Sequence, residues 1–180
     1  MSDSYKIDNQ EGLYFLTFQI IQWIDIFTRQ VYRDIVLDSF RFCQKEKGLH
    51  IHSWVIMSNH VHAVLSSDDE NLSGTIRDFK TFTSKAIVDT IKNENESRKE
   101  WMLALFESEA KKHKRNKNYQ VWTHDNHPVE LFSNKFIDQK VEYIHNNPVK
   151  AGIVDNAEDY IYSSARDYCG EKGLLEIIIP

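Results

Sequence analysis

Residues 54–65, WVIMSNHVHAVL, run from Trp54 to Leu65 and carry two histidines one residue apart within a run of strand-forming side chains. Successive side chains on a strand point to opposite faces. His60 and His62 are therefore expected to share one face, with Val61 on the other, core-facing side together with Ala63 or Leu65. Two neutral imidazoles held side by side can bind one divalent cation. An isolated His-x-His is better explained as two exposed histidines on a half-solvated strand, so the pair takes its meaning from the rest of the chain.

Working outward, Leu49 to Ile56 and Val61 to Leu65 are strand-like runs separated by Met57 to His60, the pattern of a hairpin with the histidines near its turn. Leu13 to Ile21 is apolar on both faces and predicts a central strand. Arg29 to Lys47 predicts a first helix, with Val31, Ile35, Leu37, Phe40 and Phe42 at mainly helical spacings and Gly48 as its stop. Leu72 to Lys92 predicts a second, with Ile76, Phe79, Phe82, Ala86, Ile87 and Ile91 turned inward and Lys80 and Lys85 outward. Residues 93–118 read as a charged insertion in which Trp101 to Phe106 forms one or two buried helical turns. Tyr119 to Trp122 suits a short strand, followed by a loop, Thr123 to Pro128, whose His124 and His127 are candidates for an outer shell only. Asn134 to Asn146 predicts a helix with Phe136, Ile137, Val141 and Ile144 inward, ended by Pro148, because the residue before a proline is steered out of the helical region. Glu158 to Tyr168 predicts a short helix or strand edge, and Leu174 to Ile179 a terminal strand or docking tail.

The 180 residues suffice for one sizeable core and are expected to form a single domain, 1–180. Net charge is −5, from 27 acidic against 22 basic side chains, which argues against a protein that coats DNA through diffuse positive charge. Basic residues concentrate instead in Ala110 to Asn118, where Lys111, Lys112, Lys114, Arg115 and Lys117 read first as a solvated segment and second as a DNA contact. Cys43 and Cys169 are too few and too far apart for a disulfide framework or zinc site. No apolar run is long enough to cross a bilayer and the N-terminal residues lack the pattern of a signal peptide, so no membrane partner and a cytoplasmic location are expected.

A second stretch, Val141 to Val154, VEYIHNNPVKAGIV, places a tyrosine ahead of a polar cluster and a proline. Together with His60-Val61-His62, its lead-in Met57, Ser58 and Asn59, the segment Arg77 to Lys85 and SSARDY at Ser163 to Tyr168, it resembles the REP-associated tyrosine transposases. These belong to the wider superfamily of single-tyrosine, His-hydrophobic-His transposases, and the resemblance spans Tyr14 to Tyr168. It implies an α+β fold: an antiparallel sheet with helices packed on one side, a ferredoxin-like or RNA-recognition-like palm of the His-hydrophobic-His nuclease type.

The resemblance also implies a chemistry. Tyr143 would attack a phosphodiester, leaving a 5′-phosphotyrosine and a 3′-hydroxyl that can reverse the reaction. A phenol ordinarily ionises near pH ~10, so forming a phenolate at neutral pH costs about 4 kcal/mol, which such a site must offset. His60 and His62 would be metal ligands and Asn147, four residues after Tyr143 and on the same helix face, the third. His145 and Asn146 are the alternatives, because Pro148 is expected to end the helix there. Two imidazoles and an amide suit Mg²⁺ or Mn²⁺ completed by water and phosphate oxygens. The implied partner is single-stranded DNA with a REP-like hairpin. Asn59, Lys80, Lys85, Lys150 and Arg166 are candidate DNA contacts, and Trp122 or Tyr168 candidate stacking platforms. Monomer and homodimer both remain open. The rival reading is a protein that binds a DNA hairpin, or RNA, without cutting it, and the acidic net charge favours that rival.

Overall fold

A computed structural model describes residues 6–68, 70–112 and 118–180. Among these residues the chain forms β1 (Tyr14–Gln19), α1 (Gln30–Glu46), β2 (Leu49–Ile56), β3 (His60–Ser67), α2 (Leu72–Asn93), α3 (Lys99–Lys111), β4 (Val129–Glu130), α4 (Asn134–Lys150) and α5 (Ala165–Tyr168). The strands make one sheet in the order β2-β3-β1-β4. β3 pairs antiparallel with both β1 and β2, so β1 and β2 run in the same direction with β3 between them. This is the ferredoxin-like split arrangement, with α1 as the crossover. The predicted hairpin and central first strand are both present.

Alternation along the strands divides their side chains between two layers. Tyr14, Leu16 and Phe18 of β1 and Val61, Ala63 and Leu65 of β3 enter the main core, where they meet Tyr32, Val36 and Phe40 of α1 and Ile76, Phe79 and Ile87 of α2. In β2, Leu49 and Ile51 face this core, and then so do Trp54 and Ile56, because a bulge between Ile51 and Ser53 shifts the parity by one. The opposite face carries Phe15, Val55 and Val64, covered by Ile144 of α4. The expected single helical layer is thus incomplete: α1, α2 and α3 pack on one face, and α4 closes the other.

Several expectations about the elements change. Phe42 and Phe82 are exposed rather than inward, and Val36, Cys43 and Thr83 take the buried positions. The segment read as one or two buried turns is the 13-residue α3, whose Met102 and Phe106 belong to the main core. Buried Glu96 fastens the α2–α3 connection to α1 by accepting hydrogen bonds from Arg29 Nη1 (2.6 Å) and Tyr32 Oη (2.9 Å). Tyr119 to Trp122 makes no strand beyond a single bridge between Trp122 and Ile20. Of the basic run, Lys111 and Lys112 are exposed, while Lys114, Arg115 and Lys117 lie outside the described residues. No helix among the described residues is long and apolar enough to cross a membrane.

Candidate active site

His60 opens β3 directly after the turn, which is closed by a hydrogen bond from Met57 N to His60 O (2.8 Å). The two-residue period carries His62 to the same face, the one covered by α4, and the two imidazole centroids lie 4.6 Å apart. His62 is nearly buried: the Phe15 ring stacks on it at 5.3 Å, and Tyr143 meets it edge-on at 5.3 Å.

Hydrogen bonds fix how His60 presents itself. The carbonyl of Trp23 can only accept, so the Asn59 group 3.2 Å from it is the donating Nδ2. Asn59 Oδ1 is then the atom 2.7 Å from His60 Nδ1, and an amide oxygen only accepts. His60 Nδ1 must therefore carry the proton, and its Nε2 lone pair is left for another partner. His62 Nδ1 lies 2.9 Å from Thr17 Oγ1, across the β1–β3 ladder, and the hydroxyl can accept from it; in that tautomer Nε2 presents its lone pair. Engagement of one ring nitrogen by an outer-shell group is the arrangement that orients metal-binding histidines. Burial lowers the pKa of both imidazoles. That of His62 falls to about 3, with His60 and Lys140 adding to the effect. Both rings are neutral near pH 7, the ligating form.

Tyr143 and Asn147 come from α4, which begins at Ser133, whose side chain accepts from Phe136 N. The helix does not end at Asn146, as the proline predicted, but runs through Pro148 to Lys150. Pro148 lies in the last turn, where its missing N–H forgoes only the bond to Ile144 O, and its ring is buried. Asn147 Nδ2 donates to Tyr143 O (2.9 Å), and the turn closes through Ala151 N to Asn147 O and Ile153 N to Pro148 O. Gly152, at φ 68°, supplies the left-handed residue that ends the helix. Because the helix continues, Tyr143 and Asn147 lie one turn apart on the same face. With its Nδ2 committed to the backbone, Asn147 offers Oδ1, the ligating atom of an amide. Tyr143 keeps 40% of its surface exposed, so a strand of nucleic acid can approach it.

The alternative ligand His145 is carried away from the pair. It points into the core, where Nε2 lies 2.8 Å from Ser164 Oγ and its ring packs against Tyr168. Asn146, half-buried on the flank of the helix, is 60° from Tyr143 by helical rotation, where Asn147 is 40°. Among the described residues no three His, Cys, Asp or Glu side chains cluster as a metal site.

Several expected DNA contacts have other occupations. Asn59 orients His60. Lys80 is not outward: burial lowers its pKa to about 8, and Nζ donates to Thr123 O and Asn126 Oδ1 at 2.7 Å each. Lys85 and His124 line a groove of about 910 Å³ beside α2, on the face of the sheet away from Tyr143. Arg166 Nε lies 3.3 Å from Glu158 O and 3.8 Å from Glu171. His127 faces Asp125 at 3.7 Å. Trp122 is buried under α2, and Tyr168 is half-buried, with its ring edge-on to His145 at 4.8 Å and its hydroxyl donating to His52 O (2.8 Å). Lys150 does reach the site, with Nζ 5.7 Å from the Tyr143 ring.

Three contributors went unread in the sequence. Lys140, one turn before Tyr143, holds Nζ 4.5 Å from the Phe15 ring and 5.8 Å from that of Tyr143. Its position at i−3 was a usable signal. Thr17 and Phe15 reach His62 only through strand pairing, for which the sequence carried no register.

The sequence model of the family described as "Transposase IS200 like" matches residues 14–147, well over half of the chain. Among solved structures, a REP-associated tyrosine transposase bound to a REP hairpin superposes over 100% of this chain and 94% of its own, with a TM-score of 0.63 at 19% identity. That likeness shows a common fold. No curated protein matches the sequence.

Proposed function

The chain belongs to the IS200-like transposase family, and on that footing we propose that it cuts and rejoins single-stranded DNA beside a REP-like hairpin, using Tyr143 as the nucleophile. The observation that carries this reading is the Tyr143 ring, half open to solvent, 5.3 Å from a His62 that is paired at 4.6 Å with His60. One chain supplies all three groups, so a monomer suffices for the chemistry.

The Tyr143 oxygen attacks the scissile phosphorus. An O–P bond to the 5′-phosphate of the downstream fragment forms, the P–O3′ bond to the upstream fragment breaks, and the departing oxygen takes up a proton to become a 3′-hydroxyl. The phenol proton passes to solvent at the open side of the ring. Attack by a 3′-hydroxyl on the phosphotyrosine runs the sequence backwards and reseals a strand, with no loss of phosphodiester bond energy. Lys140 and Lys150 place two ammonium groups beside the ring, where they bind phosphate oxygens and offset the negative charge gathered around the phosphorus. His60 Nε2, His62 Nε2 and Asn147 Oδ1 would hold Mg²⁺ or Mn²⁺, which when bound polarises the phosphate and stabilises the leaving oxygen. The donor set fits, because the opposite nitrogen of each imidazole is already engaged by Asn59 or Thr17.

The net charge of −5 favours the rival, a hairpin-binding protein that makes no cut. The two part on one experiment: labelled hairpin DNA with a single-stranded flank, incubated with Mn²⁺ and resolved on a denaturing gel, yields a protein-linked band if the protein cuts, absent in Tyr143→Phe, and no band if it only binds.

A further inference from the structure

Strand cleavage beside a hairpin requires a surface that holds unpaired bases, and the two aromatics the sequence offered for it, Trp122 and Tyr168, are committed elsewhere. Trp23 has the opposite properties. It is 61% exposed, while its neighbours Ile21 and Ile24 are 4% exposed each. The segment around it is tied to the turn that precedes the histidines. Ile20 N donates to Asn59 O (2.9 Å), Phe27 N to Ser58 O (2.9 Å) and Asn59 Nδ2 to Trp23 O (3.2 Å). Gln22 and Trp23 both adopt left-handed backbone, at φ 53° and 56°, a conformation that non-glycine residues take only when their surroundings impose it. The consequence is that the indole is turned out of the core and stands edge-on to His60, with ring centroids 6.3 Å apart.

We propose that Trp23 is the stacking platform for an unpaired DNA base next to the scissile phosphate. This rests on the cleavage reading above and adds to it a place for the flanking strand. A large π-face on an anchored turn binds any base without reading its hydrogen-bonding edge. Because the same Asn59 side chain holds both the Trp23 carbonyl and His60 Nδ1, the platform and the candidate ligand are fixed relative to each other. The other strongly exposed tryptophan, Trp101, sits on α3 across the sheet.

The test compares wild type, W23A and W23F for binding to a DNA hairpin with a single-stranded flank and to the same hairpin with an abasic flank. Affinity is read by fluorescence anisotropy and adduct formation on a parallel gel. Loss of one base–aromatic stack corresponds to about 5- to 150-fold in affinity. W23A is expected to bind the flanked hairpin weaker by that factor, W23F to recover most of it, and all three proteins to bind the abasic substrate alike. Equal binding of wild type and W23A to the flanked hairpin overturns the proposal, as does an equal loss in W23A and W23F, which would trace the effect to the backbone. The two readings fail separately: a wild type that forms no adduct, yet depends on Trp23 for affinity, loses the cleavage reading and keeps the platform.

Discussion

Replacing Asn59 by alanine removes the one acceptor that fixes the proton of His60 on Nδ1. The contact is 2.7 Å long, and the partnership of Nδ2 with the Trp23 carbonyl dictates its polarity. Without it the imidazole is free to rotate and to exchange tautomers, so only part of its population presents the Nε2 lone pair. Losses of outer-shell partners typically lower metal affinity 10- to 100-fold, or about 1.4 to 2.7 kcal/mol. Asn59→Asp keeps an acceptor for His60 Nδ1 but loses the donor to the Trp23 carbonyl, so its affinity should lie between those of Asn59→Ala and wild type. Mn²⁺ titrations followed by water-proton relaxation measure both variants directly. Wild-type Mn²⁺ affinity in Asn59→Ala would refute the reasoning that this side chain orients a metal ligand.

Other predictions bear on neighbouring parts of the account. Thr17→Val removes the partner of His62 Nδ1 at nearly constant shape, and Mn²⁺ affinity should fall in the same range with little change in the unfolding midpoint. His145 is buried neutral, burial having lowered its pKa to about 4. The unfolded chain therefore binds a proton there that the folded chain refuses, so stability falls as pH drops from about 6.5 to 4, by about 3 kcal/mol. Urea unfolding across that window should show a flatter dependence in His145→Gln, and an unchanged slope would contradict the assignment. Phe106→Ala should cost about 3–5 kcal/mol in the same assay if α3 belongs to the core, and under 1 kcal/mol if it is a dispensable insertion.

The hairpin, the central strand and the shared face of His60 and His62 were legible because a two-residue period carries its own geometry. Tyr143 and Asn147 were singled out by the family resemblance, and helical spacing then put them on one face. Proline misled, since a rule about the residue before it does not distinguish the middle of a helix from its last turn, where only one hydrogen bond is forgone. The bulge in β2 broke the alternation of LHIHSWVI, and nothing local in that stretch marks where parity changes. Lys80 looked like a solvated lysine because burial by a loop more than 40 residues later leaves no trace in a helical wheel. Thr17 and Phe15 became visible only with the register between β1 and β3. Asn59 was read as a DNA contact, and its role emerged from two hydrogen-bond distances, not from its place in the sequence.

The central claim, that Tyr143 is the nucleophile of a site organised by His60 and His62, is tested most directly by adduct formation. Flanked hairpin DNA carrying a label on the fragment downstream of the cut should be incubated with Mn²⁺ and wild type, Tyr143→Phe or the His60→Ala, His62→Ala double variant. The account predicts a covalent protein–DNA band from wild type alone, with the label mapping by mass spectrometry to the peptide containing Tyr143. An adduct that persists in Tyr143→Phe, or tight hairpin binding with no adduct from wild type, would contradict it.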